Sequence, residues 1–180
     1  MPSWLQFLVD HQLTQPTATV IVGALAAIFA AIAIVTNRWA TRMRATLDLL
    51  ERLETHEYYQ KRYRAFRKVR LETHGIHKII IEISTGTEDT ERGLCLDFLN
   101  VYELIALGIR KGILDEHFYR QAYESTLLRD WEAAKPLIDD CRNPADQTKP
   151  KNPTNFEHFE WLVKRCGTPT LLSLKIPPWT

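Results

Sequence analysis

Three polar residues on an otherwise apolar stretch are the strongest candidates for chemistry in this sequence. Asn100, Glu103 and Arg110 lie in residues 93–111, GLCLDFLNVYELIALGIRK. At ~100° per helical residue, their side chains fall within about 80° of one another. One hypothesis is that they line a pocket or partner-binding groove in which Glu103 and Arg110 contact a polar ligand. The alternative, which we favour, is a structural network in which Asn100 and Glu103 cap or bridge neighbouring helices, because buried charges need partners.

A second candidate is the basic stretch KRYRAFRKVR at residues 61–70, in which six of ten residues are basic. Lys61, Arg64 and Lys68 recur at helical spacing and predict one outward stripe. Such a stripe suits anionic lipid headgroups or an acidic protein surface, and it equally suits a solvated helix face whose aromatic residues are core. Basic residues interleaved with Tyr63 and Phe66 also suit nucleic acid. We rank nucleic acid last because the rest of the chain is acidic.

Metal and catalytic signatures are missing from the sequence. His74 and His77 are three residues apart, but Gly75 between them suggests a loop and no spacing matches a zinc signature. The chain contains no Gly-rich phosphate loop, no nucleophile-elbow motif and no His-Glu-x-x-His motif. We therefore predict a binding protein in preference to an enzyme, with no catalytic residue, no metal and no cofactor.

One element must position everything else: residues 17–36, TATVIVGALAAIFAAIAIVT, which hold no charge. At ~1.5 Å per residue, twenty helical residues span roughly 30 Å, the thickness of a bilayer's hydrocarbon core. This pattern predicts a transmembrane helix, with the lipid bilayer as its surroundings. A signal peptide is the competing interpretation, since residues 31–33 resemble a cleavage site. We favour the anchor because no basic residue precedes the run, which is also longer than a typical signal core.

Charge around the apolar run predicts its orientation. All 23 Lys and Arg residues lie at or after Arg38, and Arg42 and Arg44 follow closely. Positive flanks stay in the cytoplasm, so we predict an external N-terminus and a cytoplasmic domain. Residues 38–70 contain ten basic and four acidic residues, whereas residues 71–180 contain 13 basic and 17 acidic ones. Three widely separated cysteines, an odd count, indicate reduced thiols in that compartment.

Small residues recur within the apolar run. Gly23, Ala27 and Ala31 stand at four-residue spacing, as small residues do where two membrane helices pack closely. A homodimer through this face is the less favoured of two hypotheses. The alternative is a chance spacing, because alanine is abundant in this segment.

Apolar spacing predicts helices through most of the remaining chain. Two helical stripes meet near Thr55, a residue type that caps helices, so residues 38–72 form two helices or one bent helix. Residues 76–83, IHKIIIEI, suit a strand or a helix. We favour the helix because no second convincing strand is present to pair with it. The predicted fold is all-α: one N-terminal transmembrane helix followed by a small cytoplasmic helical bundle.

Capping residues predict where the later helices begin and end. The signals are Thr87 for the start of the central helix, Gly112 for its end, Asp115 for the next start, Pro136 for an end or kink, and a Thr154–Glu157 capping box for the last helix. The helix after Asp115 is predicted to turn inward Phe118, Ala122, Tyr123, Leu127 and Trp131. The predicted organisation is an external N-terminus at 1–16, a span at 17–36, a basic neck at 37–72, a helical domain at 73–166 and a tail at 167–180.

One family resemblance rests on the central helix and the turn after it. The residues that carry it are Leu99, Asn100, Tyr102, Glu103, Ile105, Ala106, Gly108, Ile109, Arg110, Gly112, Ile113 and Asp115. This pattern resembles the core motif of the bacterial domain-of-unknown-function 4760 family, and the likeness covers residues 17–166. The resemblance implies one N-terminal membrane helix and a helical cytoplasmic domain at a bacterial inner membrane, and it implies no reaction. We therefore expect a single-pass protein that binds a protein partner or a second copy. The alternative is a small membrane-tethered enzyme or ligand sensor.

Overall fold

The computed structural model describes residues 15–81, 90–144 and 150–167. These residues form six helices and contain no strand, which confirms the all-α prediction. The helices are α1 Gln15–Thr55, α2 Glu57–Leu71, α3 Gly75–Ile81, α4 Glu91–Arg110, α5 Glu116–Arg142 and α6 Glu157–Gly167. The predicted tail from 168 onward and most of the predicted N-terminal segment lie outside the described residues.

Within the described ranges, α1 is the one helix that is long and apolar enough to cross a membrane. The large apolar side chains of its membrane-spanning candidate segment, from Val20 to Val35, are all at least half exposed, from 50% for Ile21 to 71% for Val20. Two hydroxyl groups that follow these side chains bond to the backbone of α1 itself. Thr36 Oγ1 donates to Ile32 O at 3.0 Å, and Thr41 Oγ1 donates to Asn37 O at 2.8 Å. Bonding to the preceding turn satisfies a hydroxyl without water.

The chain divides into two compact units after Thr41. The second unit therefore contains residues 42–72, which the sequence assigned to the neck. Phe66 and Val69 of α2 are buried in its core. Helix α4 is central: it packs against α2, α3 and α6, and α5 packs against α3 and α6. The sequence of α4 is apolar on most sides, as is typical of a helix in the middle of its domain.

The predicted break near Thr55 is confirmed as two helices, α1 and α2. The cap is different from the predicted one, because His56 occupies the N-cap position of α2 and its Nδ1 accepts from Tyr58 N at 3.3 Å. The hydroxyl of Thr55 instead donates back to Glu51 O. Gln60 Nε2 donates to Leu53 O at 2.8 Å and so satisfies one carbonyl at the end of α1.

The apolar run after Gly75 is helical in its described part, α3, so the preference for helix over strand is confirmed there. Gly75 is the first residue of α3 and not a loop residue, and His74 before it has a positive φ of 64°. The predicted cap Thr87 lies outside the described residues. Helix α4 begins at Glu91, where Thr90 caps it by accepting from Gly93 N at 3.1 Å.

The turn between α4 and α5 follows the predicted signals. Gly112 has a φ of 68°, in the region that favours glycine, and Asp115 caps α5 by accepting from Phe118 N at 2.8 Å. A methyl group on Gly108 would approach Leu114 Cδ1 to 2.8 Å, so the turn folds closely over α4. Asp115 N donates to the fully buried Thr46 Oγ1 at 2.8 Å, which joins this turn to α1 within the second unit.

Helix α5 agrees with its prediction in part. It continues through Pro136 to Arg142, so of the two predicted effects the proline does not end the helix. The predicted inward residues Leu127 and Trp131 are buried, as is Tyr119, and Phe118 and Tyr123 are partly buried against the core. The predicted inward residue Ala122 is exposed.

The predicted capping box before α6 is wrong. Thr154 Oγ1 donates to Asn152 Oδ1 at 2.8 Å instead of capping the helix, and Glu157 is the first helical residue. Phe156, immediately before the helix, is buried and has a positive φ of 60°. Its side chain has no oxygen to accept a hydrogen bond. Glu157 N donates locally to Thr154 O at 3.1 Å, which leaves the N–H groups of His158 and Phe159 in need of another acceptor.

Candidate functional site: the Glu103 cap and the aromatic cavity

Glu103 supplies the missing acceptor for α6. Its Oε1 accepts from His158 N at 3.1 Å and its Oε2 accepts from Phe159 N at 2.8 Å. Two of the unpaired N–H groups of the first turn are thereby satisfied by a carboxylate from another helix, where the positive end of the helix dipole also favours negative charge. The α4–α6 contact is therefore fixed by a polar bond as well as by apolar packing.

Arg110 and Asn100 occupy different surroundings from Glu103. Arg110 is exposed; its Nη1 lies 3.9 Å from Glu157 Oε1 and its guanidinium lies 5.8 Å from the centre of the Trp161 ring. Asn100 is exposed. Arg110 and Glu103 thus meet the same end of α6, and a ligand-binding or partner-binding role for the set stays a prediction.

Loss of the Glu103 carboxylate should destabilise the domain. We expect Glu103→Ala to lower the free energy of unfolding by about 2 kcal/mol, since hydrogen bonds to a charged group and a helix cap each contribute on this order. Urea unfolding of the full chain in detergent micelles measures this loss. Glu157→Ala removes an exposed carboxylate from the first turn of α6 and is the control, with an expected loss below about 1 kcal/mol. Unchanged stability of Glu103→Ala together with lost partner binding would instead assign Glu103 to a binding site.

A cavity of about 290 Å³ lies on the other side of α4, between it and helices α1, α2 and α5 in the second unit. Six aromatic residues line it: Tyr59, Tyr63, Phe98, Tyr102, Tyr119 and Tyr123. Several of these rings pack in pairs. The rings of Tyr119 and Tyr123 are stacked, with 5.7 Å between their centres. The rings of Phe98 and Tyr102 meet edge to face, with 5.1 Å between their centres. Neither Asn100, Glu103 nor Arg110 is among the described residues that line this cavity.

A buried ion pair stands behind the cavity wall. Asp130, 1% exposed, accepts from Arg70 Nη1 at 2.6 Å and from the Tyr102 hydroxyl at 2.8 Å. This network joins α2, α4 and α5. Sequence reasoning missed Asp130, although Leu127 and Ala134 place it on the buried face of α5. A carboxylate at such a position needs partners, and that was the available signal.

Three tyrosines around the cavity, Tyr102, Tyr119 and Tyr123, keep their protons at physiological pH. Burial, with the adjacent Asp130, raises the pKa of Tyr102, and burial also raises the pKa of Tyr119. Burial and the 2.7 Å hydrogen bond that its hydroxyl donates to Glu54 Oε1 raise the pKa of Tyr123 to about 12. All three therefore act as neutral hydrogen-bonding groups.

The basic stripe is exposed as predicted, at Lys61, Arg64 and Lys68. Lys68 forms an ion pair with Glu91, and both side chains remain in contact with water. The aromatic residues interleaved with the stripe are used inside the fold: Phe66 is fully buried and the Tyr63 ring packs on Phe98 at 5.6 Å between centres. Contact of the stripe with anionic headgroups stays a prediction.

The described residues contain no group of three or more His, Cys, Asp and Glu side chains placed to hold a metal ion. The rings of His74 and His77 are 6.3 Å apart between centres. The cysteines Cys95, Cys141 and Cys166 form no disulfide. Gly23, Ala27 and Ala31 are exposed along the apolar part of α1, and their role in helix pairing stays a prediction.

The motif that carried the family resemblance now has a structural explanation. Leu99, Ile105 and Ala106 are buried in the core, Gly108 and Gly112 shape the turn, and Asp115 caps α5. The model of a protein family described as a domain of unknown function (DUF4760) matches residues 17–166. No curated protein and no solved structure matches the chain. Because this match covers most of its length, from the apolar part of α1 to α6, the chain belongs to the DUF4760 family.

Proposed function

We propose that this protein is a single-pass inner-membrane protein whose helical domain faces the cytoplasm and binds a protein partner. The observation that carries the anchor is the exposure of the apolar part of α1, where the side chains from Val20 to Val35 are exposed. A helix with apolar residues on all sides and no core around it is stable in a lipid bilayer. The positive flank beginning at Arg38 supports the cytoplasmic orientation.

Reporter fusions and intact mass test the anchor and its orientation. A C-terminal fluorescent reporter should be active and a C-terminal alkaline phosphatase inactive, and the protein should resist carbonate extraction with residues 17–36 retained. As a control, replacing Arg38, Arg42 and Arg44 with glutamine should weaken the orientation, because these residues supply the positive flank. A shortened, carbonate-soluble and exported product would identify the apolar run as a signal peptide and contradict the proposal.

The observation that supports partner binding is an apolar groove of about 430 Å³ in the second unit. Leu104 is 67% exposed and Ile113 61% exposed in this groove, with Leu49 and Leu114 beside them. Exposed apolar groups in one groove mark contact surfaces, and a groove between helices suits the apolar face of a partner's amphipathic helix. The rim carries Asp48 and Arg52, which provide charges of both signs for orientation.

Site-specific photocrosslinking tests the groove. A photoreactive residue at position 104, in native membranes, should give one defined adduct, and the adduct should disappear when Ile113→Asp is added. The control carries the photoreactive residue at exposed position 132, on α5. An adduct equal in both positions, or one that survives Ile113→Asp, would contradict a specific groove. A photo-adduct with a second copy of the chain would show that the groove forms a homodimer and does not bind a different protein.

A further inference from the structure

We propose that the aromatic cavity is a binding site for a small organic cation, an amine that carries an apolar or aromatic body. This site adjoins the partner groove, with which it shares Tyr59, Val101 and Ile105 in its lining, and its use does not depend on the membrane anchor. The chemistry follows from three observations: the size of the cavity, the aromatic character of its wall and the sign of its charge.

The size of the cavity sets the size of the ligand. Its volume is about 290 Å³, near the lower limit of ~300 Å³ for small-molecule pockets and well above the ~150 Å³ apolar cavity that admits benzene. An occupant of about ten non-hydrogen atoms fits this space. Glu54 and Gln60 line the cavity, and Glu54 is exposed, so this end opens to solvent and provides an entrance.

The wall favours positive charge. Among the twelve described lining residues, Glu54 carries the one formal charge, and it is negative. Half of those residues are aromatic, and aromatic faces attract cations through their quadrupole, most strongly where water is excluded. An anion in this cavity would meet no basic residue among the lining side chains.

Glu54 is placed to receive the charged head of the ligand. Its Oε1 already accepts from the Tyr123 hydroxyl at 2.7 Å, which holds the carboxylate in position. A carboxylate offers about four lone pairs, so it retains capacity for an ammonium donor. Lys61 and Arg64 share an adjoining open cleft with Glu54 and Glu57, so two charges of each sign balance there. Of these four residues, Glu54 alone also lines the cavity.

Three probes of similar size and different charge test the assignment on the full chain in detergent micelles. These are phenethylamine as cation, 2-phenylethanol as neutral analogue and 3-phenylpropionate as anion, measured by saturation-transfer NMR and calorimetry. We expect phenethylamine to bind most tightly and 3-phenylpropionate least. Glu54→Gln should weaken phenethylamine binding about tenfold, because it removes the counter-charge, and leave 2-phenylethanol binding unchanged. Glu51→Gln, exposed on the same helix outside the lining, is the matched control and should change neither.

A second variant tests the cavity itself. Thr126→Leu adds apolar volume to the lining and should abolish binding of all three probes. If this variant fails to fold, Glu54→Gln still decides the result, because it changes an exposed residue. Equal affinity for the three probes, unchanged phenethylamine affinity in Glu54→Gln, or no binding of phenethylamine at millimolar concentration would each overturn the proposal. These outcomes do not test the anchor or the groove, because neither Glu54 nor Thr126 is among the residues that line the groove.

Discussion

Replacing Asp130 with alanine is expected to lower the free energy of unfolding by about 3–5 kcal/mol, because the change removes one partner of a buried ion pair. Arg70, whose side chain is 12% exposed, would keep its charge without the 2.6 Å contact to Asp130. The Tyr102 hydroxyl, which donates to Asp130 at 2.8 Å, would lose its acceptor in the core. Three helices meet at this network, so its loss should destabilise the whole second unit.

Urea unfolding in detergent micelles, followed by tryptophan fluorescence, measures this effect. Trp131 is adjacent to the site and buried, which makes the signal sensitive to loss of packing. The control Glu132→Ala removes an exposed carboxylate from the same helix and should cost below about 0.5 kcal/mol. The double variant Arg70→Met/Asp130→Leu should recover most of the lost stability, because apolar replacements of a buried pair leave no unpaired charge. A loss below about 1 kcal/mol for Asp130→Ala would contradict the role of the network.

Replacing Phe159 with alanine is expected to cost about 3–5 kcal/mol, the usual range for removing a fully buried aromatic ring. Phe159 is 0% exposed, stacks on Tyr102 at 4.7 Å between ring centres and meets Trp131 edge to face at 5.0 Å. Its backbone N–H is one of the two that donate a hydrogen bond to the Glu103 carboxylate. The substitution therefore opens a void at the point where α4, α5 and α6 meet.

The same unfolding measurement tests Phe159, with Leu104→Ala as control. Leu104 is also apolar but 67% exposed, so its truncation should change stability by less than about 0.5 kcal/mol. Phe159→Leu should retain more of the stability than Phe159→Ala, because the smaller void loses fewer contacts. Equal losses for Leu104→Ala and Phe159→Ala would show that the core does not lie where the structure places it.

Local signals in the sequence determined much of this architecture. The apolar run at 17–36, the positive φ of Gly112 and the Asp115 cap depend on residues close together in the chain, and their geometry is set by backbone sterics and local hydrogen bonds. The central position of α4 also followed from its own composition. The match over residues 17–166 agrees with the resemblance carried by the motif.

Long-range pairing decided what the sequence left open. Glu103 accepts from backbone groups 55 and 56 residues away, and Asp130 meets Arg70 across 60 residues. Local spacing placed Glu103 on a helix face and proposed Thr154 as the cap of α6, but a cap can come from any acceptor that the fold brings near the helix end. The aromatic cavity likewise joins side chains from four helices. Periodicity assigns a residue to a face of its own helix, and only the packing of helices against one another decides what that face meets.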